Sequence, residues 1–477
     1  MVIKNGPIRG INPYIVFISL SIMLVFMLYT LFLPEHSAQA IDKGRTFITF
    51  FAGKWYVILA AFFLIFCIFL GFSKYGNIRL GDDNERPEFS NFAWFAMLYA
   101  AGQGIGIIFW SIAEPMFHFA SGTPFNDAKG TQEAAEAAMQ VSFFHWGLNA
   151  WAFYCVVGVS LAFVSYRLKK PLSIRYTLYP LLGEKVNGPI GVFVDVIAVF
   201  ATLFGIATSL GLGVQQINAG ISAVSDIPQS LTVQLVLIVV ISAFALMSVM
   251  SGLKRGIKYF SITNMCLTFV MLAFFLFLGP TVYIVKLLVT STFDYFVGIV
   301  PMNAFFEPVT QSWGQEDASW KSMWQGWWSV FYWGWWISWA PFVGVFIARV
   351  SRGRTVREFI FGVVGVSSLL SFVWLAAYGG TALYLDLESS AGIAKIVQAN
   401  VADALYATIA AMDVGVMGYL ATIASTILVS TYFITSSDSG TLVLTTIMSE
   451  GNENPLTRHR VFWGVIQGAM AAVLLTA

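Results

Sequence analysis

The chain has 477 residues, of which 58% are hydrophobic and 11% charged, with a formal net charge of +1. Soluble domains carry about 25% charged residues, so a chain this apolar, with mean hydropathy +0.75, is an integral membrane protein. Its near-neutral charge gives no electrostatic reason to expect a nucleic-acid or acidic partner.

Crossing the hydrocarbon core takes about 20 apolar residues in a helix. Such runs occur near 13–33, 52–73, 91–113, 138–165, 188–220, 230–251, 258–284, 324–348, 358–385, 414–447 and 461–477, predicting eleven spans. The first, Pro13 to Leu33, is too long for a signal h-region and lacks an A-x-A end, so it reads as a membrane helix. Residues 285–323 combine the apolar run Ile299–Phe306 with Glu307, Glu316 and Asp317, the pattern of a surface-lying helix and a polar connection. Residues 390–412 look similar. The last run stops at Ala477 with no polar tail, and the expectation is that at least one further helix is missing.

Cys67, Cys155 and Cys266 lie in apolar runs, are odd in number and lack metal-type spacing, which predicts small buried residues rather than disulfides. With a cytoplasmic N-terminus, the cytoplasmic segments hold 19 of the 26 Lys and Arg residues. The positive-inside rule therefore predicts that orientation. Two basic clusters, Lys254-Arg255 with Lys258 and Arg349 to Arg357, read as topology determinants.

Five stretches carry chemistry-bearing patterns. In the third span, Ala100-Ala101-Gly102-Gln103-Gly104-Ile105-Gly106 is no dinucleotide fingerprint, because neither its spacing nor its surroundings fit. Three glycines weaken the helix, and opened backbone in a membrane span can bind ions and charged substrates. Close packing of small residues between helices explains it equally well. In the fourth span Trp146, Trp151 and Tyr154 fall within about 140° of one helix side. The neighbouring His145 reads as a hydrogen-bonded packing residue rather than a proton relay. In the fifth, Thr202 and Ser209 share a face.

The densest signal is the segment WQGWWSVFYWGWWISWAPFVGVF at 324–346, with seven tryptophans within sixteen residues and no charge from Gln325 to Ile347. Trp328, Phe331, Tyr332, Trp335, Trp336 and Trp339 fit in an arc of about 140°. Interfacial belts collect aromatic residues at span ends, whereas these run through the middle. Such a wall suits a desolvated cation, above all a quaternary ammonium, with packing as the alternative. In the tenth span Tyr432, Thr435, Ser436 and Ser439 share about 100° of arc. Their hydroxyls suit a hard cation such as Na⁺ or simply bond back to their own helix. Asp438 points away from them and reads as a paired structural residue or one near the cytoplasmic mouth. No Ser–His–Asp set, P-loop, paired acids or metal cluster is visible, so the sequence offers enzyme chemistry no foothold.

The stretch FYWGWWISWAPFVGVFIARVSRGRTVREF (331–359) closely resembles the signature of the betaine/carnitine/choline transporter family. The resemblance extends to AAGQGIGIIFWSIAEP (100–115), FHWGLNAWAFY (144–154), ATLFGIATSLGLG (201–213), SGLKRGIKYFSITNM (251–265) and FITSSDS (433–439). It implies an all-α membrane protein with twelve helices in the family, eleven of them present here. Two N-terminal helices (1–90) precede inverted LeuT-like five-helix repeats at 91–284 and 324–477, joined by 285–323. It also implies a bacterial inner-membrane carrier in lipid, forming a homotrimer, with no enzymatic activity and no cofactor.

Carried over by motif, the resemblance assigns a trimethylammonium box to Trp146, Trp151, Tyr154 and Trp336, beside Gly102, Gly104 and Gly106. Phe331, Trp335 and Trp339 are expected along the inward exit path, and Ala100, Gln103, Tyr432, Thr435 and Ser436 at a Na⁺ site. A second family Na⁺ site maps to Thr202, Ile206 and Phe342, so one of its hydroxyls is missing here. Sodium-independent carnitine exchangers of the family have an arginine where this chain has Asn264-Met265, which favours Na⁺ coupling. Its choline carriers tend to have Asp where this chain has Gly106, which favours a zwitterion such as glycine betaine or dimethylsulfoniopropionate. The alternatives are a carnitine-type exchanger, an H⁺-coupled choline carrier, or a gated channel or receptor for quaternary ammonium.

Overall fold

The structure, a computed structural model, describes residues 9–251, 256–308 and 319–476. Lys254, Arg255, Glu316 and Asp317 lie outside the described residues. Helix α1 (Pro13–Phe32) starts under an Asn12 cap whose side chain accepts from the Tyr14 and Ile15 amides. Pro34 restarts the chain as α2 (Pro34–Phe72), since a proline is well placed in a first helical turn. At about 1.5 Å per residue its 39 residues outrun the hydrocarbon core, and its first half carries Glu35, Asp42, Lys43 and Arg45.

The next two spans are broken. Helices α3 (Asn91–Gly102) and α4 (Gly104–Ser121) meet at Gln103 with a 66° bend. Helices α5 (Gln132–Trp146) and α6 (Leu148–Ala162) meet at Gly147. A connection containing the single turn α7 (Tyr179–Leu182) leads to α8 (Pro189–Val224), α9 (Leu231–Ser251) and α10 (Gly256–Leu278). Gly279-Pro280 ends α10, and α11 (Thr281–Asn303) follows. The tryptophan segment is divided as well: α12 (Trp324–Trp327) stops at Trp328 and α13 (Ser329–Val350) continues. After a capping box at Thr355 and Glu358 come α14 (Val356–Ile360), a π-helical turn and α15 (Ser367–Ser389). The short α16 (Ile393–Ala399) and α17 (Ala404–Ala411) precede α18 (Val416–Met448) and α19 (Thr457–Thr476).

Among the described residues, nine helices are long and apolar enough to cross a membrane, or ten with the bent α3–α4 pair. Eleven were expected. The apolar part of α10, Ile262–Leu278, falls short of that length, and α19 is not in the set. Conversely α11, in a region expected to hold a surface-lying helix, meets it by length and composition.

The packing is that of a protein in lipid. α1, α2, α9, α10 and α11 expose many large apolar side chains, among them Phe17, Phe62, Val239, Phe277 and Val282. Polar side chains such as Glu114, His145, Asp195, Gln216 and Gln467 are buried inside. At the centre α8 packs along α18, α13 along α6, and α4 against α5 and α15.

Charged groups near helix ends find partners, as buried charges must. Asp438 accepts from Arg460 at 2.6 Å and from Ser248 at 2.7 Å, the structural pairing that the sequence allowed. The basic cluster 349–357 also binds the chain together: Arg354 donates to Asn91 Oδ1 and the Phe89 carbonyl, both at 2.9 Å. Arg357 donates to the Gly71 carbonyl at 2.8 Å. One expectation fails. Cys67 and Cys155 are buried, but Cys266 is exposed, because its side of α10 faces outward.

Candidate substrate and ion sites

The break in the third span brings the predicted residues together. Gly104 has φ +49°, a conformation only glycine adopts without strain. Gly102 lies flat against the Trp151 ring, with no room for a Cβ. A Cβ on Gly106 would stand 3.0 Å from Trp335 and 3.4 Å from Trp146. The glycine pattern thus serves close approach of α4 to two aromatic walls.

Trp146 ends α5 and Trp336 lies in the second turn of α13; their ring centroids are 4.9 Å apart at 70°. Tyr154 meets Trp336 at 6.1 Å and 76°, and Trp151 at 5.7 Å and 86°. Near-perpendicular rings are the walls of a box, and all four are buried. The Trp151 indole nitrogen and the Tyr154 hydroxyl are buried with no hydrogen-bond partner among the described residues. Trp336 donates to the His145 carbonyl at 3.0 Å.

Trp335 stacks on Trp336 at 5.2 Å, so it borders the box as well as the face leading on to Trp339. Trp339 packs edge-on to Phe342 at 5.1 Å. Phe331 lies towards the other end of α13, 5.9 Å from Trp110 and 5.4 Å from the Arg45 guanidinium. Trp328 and Trp324 are packed on histidines, Trp328 on His118 at 4.4 Å and Trp324 on His145 at 5.8 Å. Trp333 is buried against Phe144 and Phe153, while Trp327 is half exposed.

The hydroxyl face of α18 meets the same break. Ser436 Oγ lies 3.5 Å from where a Gly104 Cβ would be. Thr435 Oγ1 bonds back to the Thr431 and Tyr432 carbonyls at 3.0 and 3.1 Å and accepts from Asn264 at 3.0 Å. The Tyr432 hydroxyl pairs instead with Thr268 at 3.0 Å. Ala100 closes the last turns of α3. Gln103 donates to Ser371 at 3.2 Å, and its amide oxygen is buried with no partner among the described residues. At the position expected for a second ion, the Thr202 hydroxyl on α8 is buried with no partner among the described residues, and Phe342 lies on the adjoining α13. Ile206 instead fills the space beside Gly440 on α18.

Sequence reading gave Glu114 no role and saw no metal-type cluster. The structure gathers Glu114, His118 and His145 with ligand-type atoms within 4.8 Å of one another, all buried. Glu114 and His118 are a local i,i+4 pair on α4 and His145 is on α5, so tertiary packing is what brings His145 to them. The local signals were a carboxyl just past the third apolar run, inside a membrane helix where it is costly and functional by default, and a histidine four residues on.

A buried aromatic box among broken helices defines a multi-pass helical membrane protein with a site suited to a small organic cation or zwitterion. The family model described as "BCCT, betaine/carnitine/choline family transporter" matches residues 14–477, and the chain belongs to that family. It is 42% identical over 458 residues to the glycine betaine transporter OpuD of Bacillus subtilis, covering 96% of this chain and 86% of that protein. A glycine betaine transporter of Vibrio parahaemolyticus is 40% identical over 96% of this chain and 85% of its own length. The ectoine/hydroxyectoine transporter of Virgibacillus pantothenticus is 39% identical over 99% of this chain and 90% of its own.

Proposed function

We propose that the protein is a secondary transporter that imports glycine betaine, or a close zwitterionic analogue, together with Na⁺. The observation that carries this reading is the box of Trp146, Trp336, Tyr154 and Trp151 set against the opened backbone of α4. Ring faces bind a trimethylammonium group whose water has been stripped. The amides of the first turn of α4, which starts at Gly104, suit the carboxylate. The Trp151 indole N–H offers it a further donor. A zwitterion is then held at both ends without an acidic residue at Gly106.

Na⁺ is assigned to the junction of the Ala100–Gly104 break with Ser436 and Thr435. Hydroxyl and freed carbonyl oxygens are its preferred donors, and Ser436 approaches Gly104 there. Alternating access is supported by correspondence between the two halves. The opening helix of each is broken, at Gln103 and at Trp328, and the next is interrupted, at Gly147 and at the π-turn 361–366. That is the repeat logic of inverted transporter folds, placed in a bacterial inner membrane with the N-terminus cytoplasmic.

The test is uptake into proteoliposomes of betaine, ectoine, choline, carnitine and dimethylsulfoniopropionate, with and without a Na⁺ gradient. Saturable, Na⁺-driven betaine uptake is expected. Exchange that ignores Na⁺, or preference for ectoine, would overturn the coupling or the substrate respectively.

A further inference from the structure

Glu114 sits on α4 with its side chain fully buried. Its Oε2 accepts from the Trp146 indole N–H at 2.6 Å. Its Oε1 lies 2.6 Å from His145 Nδ1 and 3.5 Å from His118 Nε2. The other ring nitrogen of His145 reaches Ser329 Oγ, on α13, at 3.1 Å. The carbonyl of His145 receives the indole N–H of Trp336. Two of the three box tryptophans, Trp146 and Trp336, are therefore tied, through their only side-chain polar atoms, to a single Glu114–His145 unit joining α4, α5 and α13.

An indole can rotate about two side-chain bonds, and a ring face attracts a cation only while it points at it. Fixing the ring before the ligand arrives removes an ordering cost from binding. Packing alone would fix Trp146 without a carboxyl, and a carboxyl inside a membrane is expensive. His145 and His118 leave Oε2 free, and that oxygen is the one given to Trp146. We infer that Glu114 is a positioning residue for the substrate box, setting the pitch of the Trp146 ring through its indole N–H and coupling it to Trp336 through His145. Glu114 meets the Trp146 ring at its N–H edge and not at a face, so it acts on a bound cation through Trp146. The inference rests on the reading of the box as a quaternary-ammonium site.

The experiment compares glycine betaine binding to the purified full chain and to Glu114→Ala, Glu114→Gln, Trp146→Phe and the double variant Glu114→Ala/Trp146→Phe. Thermal unfolding of each variant monitors folding. Loss of one buried hydrogen bond to a polar anchor is expected to weaken binding about tenfold in Glu114→Ala and in Trp146→Phe. Glutamine, which keeps one acceptor for Trp146 and one donor for His145, should restore affinity to within about threefold. In the double variant the two losses should not multiply, because both remove the same bond. Wild-type affinity in Trp146→Phe, or a full additional loss in the double variant, overturns the inference.

A readout free of substrate separates this from the transport reading. The indole ¹H–¹⁵N resonance of Trp146, assigned by its absence in Trp146→Phe, should move upfield in Glu114→Ala. A wild type that binds no betaine would count against the transport reading, while an unmoved resonance would count against the anchor. If Glu114→Ala does not fold, the same resonance and the affinity are read in Glu114→Gln, where both should stay near wild type, and in Trp146→Phe, where affinity should fall.

Discussion

The Trp336 indole N–H donates to the backbone carbonyl of His145 at 3.0 Å, across the interface between α13 and α5. This bond fixes a ring of the tryptophan-rich helix relative to a wall supplied by the other half of the chain. It also separates two contributions of Trp336, the ring face and the N–H.

Removing the ring should therefore cost more than removing the bond. In Trp336→Ala the loss of a face at an enclosed site is worth about 2 kcal/mol, roughly thirtyfold in betaine affinity. Trp336→Phe keeps a face and loses the N–H, so it should fall between Ala and wild type. Calorimetric titration of both variants checks this, and equal affinities in wild type and Trp336→Ala would remove Trp336 from the box.

Sodium dependence should follow the α18 hydroxyls. Thr435→Ala with Ser436→Ala is expected to raise the Na⁺ concentration for half-maximal uptake at least tenfold while betaine-saturated expression and folding persist. Ser436 alone should account for most of it, because Thr435 already bonds to two carbonyls of its own helix and to Asn264. Unaltered Na⁺ activation in the double variant would place the ion elsewhere.

Gly102 offers a test of the close approach. A methyl there runs into the Trp151 ring, and overpacking of this kind costs about 1–3 kcal/mol. Gly102→Ala should lower the unfolding temperature and weaken betaine binding. The same change at Gly365, whose Cβ direction is open, should affect neither.

The pair of Asp438 and Arg460 predicts a purely structural phenotype. Both side chains are almost wholly buried, and leaving one without the other costs about 3–5 kcal/mol. Asp438→Ala should destabilise the protein strongly in thermal unfolding, and Asp438→Leu with Arg460→Met should recover much of the loss. A single variant that melts like wild type would show that water already screens the pair.

Sequence determined the class of structure, because 20-residue apolar runs and the bias of Lys and Arg are local properties that lipid converts directly into helices and an expected orientation. Helical periodicity put Trp146, Trp151 and Tyr154 on one wall and Trp336 among six aromatic residues on another, and the family resemblance alone selected those four as a box. That these walls meet at near-perpendicular angles was decided only by the crossing of α5, α6 and α13, which no spacing encodes. The glycine stretch was ambiguous until Gly102 was found against Trp151 and Gly104 at positive φ beside Ser436. Helix breaks at Gly147 and Trp328 were invisible, because apolarity continues through both. Glu114 was passed over for the same reason: its partners His145 and Trp146 are more than 30 residues away. Periodicity reports one helix face at a time, and a buried polar network exists only where faces of several helices meet.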